Sequence, residues 1–139
     1  MKRKNKGFTL LEIIIVVIIV GVLASLALPR LFSTVEFSRS TEALASIGTV
    51  RSSMERCLLR SGSGNYATCM SFTTQLDVPD PSAEAGAHFT YAVTGGTTAG
   101  YTITATRNTM DGGTSTDTVG LTRTAGAITK GGTGAFSKL

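Results

Sequence analysis

Six residues have the types and spacing that could do chemistry: Glu12, Cys57, Cys69, His88, Asp111 and Asp117. Glu12 is the lone carboxylate in the apolar run GFTLLEIIIVVIIVGVLASLALP, Gly7 to Pro29. An ionised acid inside a bilayer costs roughly 2.5 to 3.5 kcal/mol or more, so it either finds a partner or, this near the start of a span, reaches the headgroups. Position alone leaves both open. Cys57 and Cys69 stand twelve positions apart and are the only cysteines. In an exported domain an even count favours a disulfide, worth about 3 kcal/mol for a loop of this size. Zinc is not favoured, because His88 is the only histidine and there is no third thiol. A lone histidine reads as an exposed or strand-packed residue rather than a general base. Asp111 and Asp117 lie in a Gly/Thr-rich stretch that could attract calcium, but two carboxylates fall short of six to eight oxygens. An ordinary solvated turn is the expectation. With no paired His spacing, nucleophile elbow or phosphate loop, neither a catalytic constellation nor a cofactor or metal site is expected.

The elements that position these residues begin with the apolar segment. Phe8 to Leu28 would make a helix of about 32 Å, long enough to cross the hydrocarbon core of a bilayer. Lys2, Arg3, Lys4 and Lys6 precede it, which predicts a cytoplasmic N-terminus and an exported remainder. A secretory signal peptide shares the basic start and the small residues Ala24, Ser25 and Ala27, but its apolar region would be shorter. Gly21 and Pro29 are weak points, and the proline predicts a bend or loosening. The formal charge of +4 belongs to the leader. After Gly7, nine Lys/Arg face nine Asp/Glu, so a nucleic-acid partner has no electrostatic support.

Beyond the proline, Leu44, Ile47, Val50, Met54 and Leu58 recur at steps of three and four, the apolar face of an amphipathic helix. Ser46, Thr49, Arg51, Ser53, Glu55 and Arg56 fall largely on other faces, and Arg51 can pair weakly with Glu55. The helix should end near Arg60, before the run Ser61, Gly62, Ser63, Gly64. No regular pattern is legible between Tyr66 and Gly86. Alternation then predicts strands around Phe89, Tyr91 and Val93, around Tyr101, Ile103 and Ala105, around Val119, Leu121 and Arg123, and from Ala127 to Lys130. The expected fold class is α+β: one long N-terminal helix, half membrane-spanning and half amphipathic, on a small antiparallel sheet.

The leader KRKNKG, then FTLLE and the long aliphatic run, resembles the N-terminus of type IV prepilins and type II secretion pseudopilins. The resemblance covers about the first thirty residues. It implies residues 1–7 as a cleaved basic leader, 8–29 as a transmembrane polymerisation helix and 30–139 as an exported pilin-like domain. It implies cleavage between Gly7 and Phe8 by a prepilin peptidase and N-methylation of Phe8. It gives Glu12 an assembly role, neutralising the amine of Phe8 on a neighbouring subunit, and makes Gly21 to Pro29 a segment that can lose helical order. The implied partners are further copies in a helical filament, the prepilin peptidase, an assembly platform with its ATPase, and the inner membrane before assembly. The implied protein is no enzyme but a pilus subunit that ends in a surface filament for adhesion, motility or attachment. A secretion pseudopilin is the alternative within the family, and a monomeric membrane-anchored binding module the alternative outside it. The Cys57 and Cys69 positions depart from the better-known pilins, whose disulfide closes a C-terminal loop.

Overall fold

The computed structural model describes residues 7–139. The leader residues Lys2, Arg3, Lys4 and Lys6 lie outside the described residues. The chain divides into two compact units, the first ending at Val35 and the second running from Glu36 to Leu139. One helix, α1, spans Leu10–Ser61 and contributes to both.

In the first unit every described residue, Gly7 through Val35, is exposed. Its Ile, Val and Leu side chains stand exposed all along this stretch. Helical order persists through Gly21 and Pro29. Proline lacks an N–H, so the carbonyl of Ser25 gets no bond from residue 29. Nearby hydroxyls satisfy other carbonyls in this stretch: Ser25 donates to Val22 O at 2.7 Å, and Ser33 and Thr34 to Arg30 O at 2.9 and 3.0 Å.

In the second unit the C-terminal part of α1 lies on a four-stranded antiparallel sheet, β1 Phe89–Thr94, β2 Gly100–Arg107, β3 Thr118–Thr124 and β4 Ala127–Gly132, in the order β1-β2-β3-β4. Period-two alternation decides which face packs. Val93 pairs Ile103, which pairs Leu121, and Ala105 pairs Val119, so Val93, Ile103, Leu121, Ala105 and Val119 share the inner face and are buried. The outer face is largely threonine, with Thr102 and Thr122 hydroxyls 3.1 Å apart. The helix meets the inner face with Ala43, Ile47, Val50, Met54 and Cys57, all buried. Leu44 and Leu58, expected on that face, are only partly buried beside it. The buried stripe is thus rotated by about one residue, with Ala43 and Cys57 in place of Leu44 and Leu58.

Ser53, expected on a polar face, is fully buried and donates to the carboxylate of Asp77, whose own N–H returns a bond at 3.1 Å. The segment from 66 to 86, without pattern in the sequence, contains two short 3-10 helices, Tyr66–Cys69 and Pro81–Ala83. Each is started by a side-chain cap: Asn65 accepts from Ala67 N and Asp80 from Ser82 N, both at 2.9 Å. Cys57 and Cys69 are joined, with Cα atoms 5.9 Å apart and both sulfurs buried, which fastens the first of these turns to the helix.

Candidate functional site: the N-terminal apolar segment

The start of α1 is built by a reciprocal cap. Thr9 is the N-cap residue and Glu12 stands three positions on. Thr9 N and Thr9 Oγ1 donate to Glu12 Oε2 at 2.7 and 2.8 Å, while Glu12 N points back at Thr9 Oγ1 at 3.3 Å. This is the capping box of a T-x-x-E sequence, which satisfies orphan amide donors of the first turn. The negative charge also sits at the positive end of the helix dipole. Both of these bonds fall on Oε2. Thr9 was missed in the reading of the sequence although its signal was present, a threonine three residues before a glutamate at the head of an apolar run.

Gly7 and Phe8 precede the helix and are exposed. Gly21 lies mid-segment with no atom within 4 Å of where a Cβ would stand, and Pro29 lies within the helix. The helix is long and apolar enough to cross a membrane, and its apolar part has no buried residue. A bare aliphatic cylinder about thirty residues long, beginning in a capped carboxylate, can rest in lipid or against other such helices. Either setting removes the same surface from water.

Residues 2–28 match the family model described as the prokaryotic N-terminal methylation motif. The chain is 35% identical over 103 residues to a type IV major fimbrial protein FimA of Dichelobacter nodosus, covering 74% of this chain and 64% of that protein. These matches make the chain similar to type IV pilins and pseudopilins. It is also 42% identical over 55 residues to type II secretion system core protein G of Dickeya chrysanthemi, covering 40% of this chain and 36% of that protein. A probable minor fimbrial protein of Dichelobacter nodosus is 46% identical over 56 residues, 40% of this chain and 35% of that protein. The chain thus spans less than two thirds of the length of these curated relatives.

The other candidate residues sit in the pilin-like domain and play different parts. Asp111 and Asp117 do not converge. Asp111 Oδ2 lies 3.2 Å from His88 Nε2 and 3.5 Å from Arg39 Nη2. Asp117, nearly buried, accepts from Thr114 Oγ1 at 3.3 Å and Ala135 N at 3.1 Å. The turn itself is mostly exposed, and its two carboxylates are engaged separately, Asp111 toward α1 and Asp117 toward the C-terminal segment. His88 is half-buried, with Nδ1 3.5 Å from Glu42 Oε2.

Two further carboxylates do work that spacing did not reveal. Glu55 does not serve Arg51. It accepts from Tyr66 at 2.7 Å, Tyr101 at 3.2 Å and Arg123 Nε at 3.0 Å. Burial, with help from the Glu55 hydrogen bond and charge, pushes the Tyr66 phenol up to about 12 and raises Tyr101 as well. Asp77 is gripped by Arg56 through Nε at 2.7 Å and Nη2 at 2.8 Å. The Arg56 guanidinium, then the Ser53 hydroxyl, hold its carboxyl well below the usual carboxylate range.

Proposed function

We propose that this protein is a structural subunit of a type IV pilus-like filament, processed between Gly7 and Phe8, methylated at Phe8, and polymerised through the bare first unit of its helix. The observation that carries the reading is that unit itself: exposed aliphatic side chains from end to end, with a lone carboxylate, Glu12, in its first turn. Before assembly the inner membrane covers this surface, and afterwards neighbouring helices do. The exchange is nearly neutral in apolar burial, so selectivity must come from polar groups. Glu12 supplies it by pairing with the methylated amine of Phe8 on a neighbour. Leaving either charge alone in an apolar bundle is costly, so the pair fixes the register between subunits. Gly21 to Pro29, lacking one backbone donor, is the stretch that gives way when subunits pack or the filament is stretched. A prepilin peptidase, an assembly platform and its ATPase supply processing and work, and the product is an extracellular filament for adhesion, motility or attachment.

Replacing Glu12 by Gln or Val tests this. The precursor is expected to be cut and methylated, shown by mass spectrometry of the mature N-terminus, while sheared filaments seen by electron microscopy become scarce. Abundant normal filaments from either variant would refute the assembly role. The likeness to a type II secretion core protein G favours a second reading, a pseudopilin of a short periplasmic fibre. Deletion separates the two: loss of surface filaments marks the pilin, and loss of enzyme secretion with filaments intact marks the pseudopilin.

A further inference from the structure

Among the described residues, Glu36 is the first along the chain that is not exposed, and what covers it is a charge. Arg107, at the end of β2, is completely buried. Its Nε and Nη2 lie 3.2 and 3.4 Å from the two Glu36 carboxylate oxygens. Its Nη1 donates to His88 O at 3.1 Å and to Asn108 O and Oδ1 at 3.3 and 3.0 Å, and its cation sits 5.8 Å from the Phe89 ring centre. Glu36 is also held by Arg39 at 2.8 Å, and Arg39 reaches Asp111 at 3.5 Å.

The surroundings are built to admit the guanidinium. A Cβ on Gly113 would stand 2.7 Å from Arg107 Cζ and 2.2 Å from Asn108 O, so glycine is required at that turn. The neighbouring apolar side chains on the helix take no part, since Val35 and Phe37 are exposed. The seating of α1 on the domain therefore begins at an ion pair, and apolar contact begins further on, at Ala43. This choice has a physical consequence. Apolar contacts can slide by a turn at small cost, whereas a bidentate pair with one fully buried member has a single register and leaves an uncompensated charge when opened.

We propose that Glu36 and Arg107 form a latch that fixes the point on α1 where the conformationally free helix ends and the seated helix begins. Residues before 36 can bend, unwind or repack without disturbing the domain, while residues from 36 onward stay docked on the sheet. The use of the latch during filament assembly rests on the filament reading, but its existence does not. Hydrogen–deuterium exchange of the full chain in detergent micelles, read by mass spectrometry on peptides covering residues 30–35, 36–46 and 47–57, keeps the two apart.

In the parent protein, protection within the stretch 30–57 is expected to begin at about the turn containing Glu36. In Glu36→Gln, which keeps the shape and removes the charge, amides of 36–46 should exchange at least about tenfold faster, with 47–57 and the strands unchanged. Arg107→Met should give the same local pattern, and Gly113→Ala a weaker one. Should Arg107→Met not fold, the Glu36→Gln result stands alone. Unchanged exchange over 36–46 in Glu36→Gln would overturn the latch, as would loss of protection spread evenly over the whole domain.

Discussion

Glu55 offers the most exacting test of how the domain is held. Its carboxylate collects three donors from three parts of the chain: Tyr66 after the helix, Tyr101 in β2 and Arg123 in β3. The two rings meet edge to face at 4.6 Å, and Arg123 sits over the Tyr66 ring at 5.1 Å. Truncation in Glu55→Ala strands two phenol hydroxyls on side chains that are 1% and 2% exposed. Each buried hydroxyl left unsatisfied costs about 1–3 kcal/mol. Arg123 is partly exposed and can turn to water, so its loss adds at most about 1 kcal/mol. The terms share one carboxylate and do not add fully, giving a loss of about 3 kcal/mol. For a domain of this size that lowers the melting midpoint by about 15 °C. The assay is thermal and urea unfolding of the full chain in detergent, with Tyr66→Phe and the double variant completing a thermodynamic cycle. In the parent protein the phenols titrate above their unfolded value near 10, so their contribution is complete below that pH and is lost as pH rises through the folded value, about 12 for Tyr66. In Glu55→Ala, Tyr66 should ionise at lower pH, seen in the ultraviolet spectrum. A loss below about 1 kcal/mol, together with an unchanged tyrosine titration, would refute the assignment.

Two other tests concern the helix end and the loop beyond it. Replacing both Cys57 and Cys69 by Ala should cost about 3 kcal/mol in urea unfolding, from the freed loop entropy of the unfolded chain. Asp77 is depressed by Arg56 and Ser53, so its contribution is present above the unfolded carboxylate value and is lost as pH falls below about 4. Asp77→Asn should therefore flatten the acid limb of the stability profile, and an identical acid limb in parent and variant would show that the grip on Asp77 is not felt.

Some of this was legible in the chain because it depends on neighbours in sequence. The largely apolar stretch from Phe8 to Leu28, broken by one carboxylate at Glu12, makes a helix that needs an apolar surrounding, whatever follows it. Period-two alternation at 89–93, 101–105 and 119–123 placed the strands, since pleating is a local property. The T-x-x-E cap at Thr9 and Glu12 was equally local and could have been read from the same letters. What the letters could not carry was the choice of partner for each charge. Glu55 stood one turn from Arg51 and went to Tyr66, Tyr101 and Arg123, because burial of two phenols outweighs an exposed pair worth a few tenths of a kcal/mol. Asp111 and Asp117 stood six apart in one Gly/Thr stretch and face different elements. Arg107, at the end of a strand, is the most deeply buried cation described, 71 positions from Glu36. Helix, strands and the bare apolar segment follow from sequence periodicity. The latch, the Glu55 knot and the rotation of the packed face toward Ala43 follow only from closure of the sheet over the helix, which sets distances between residues that no spacing relates.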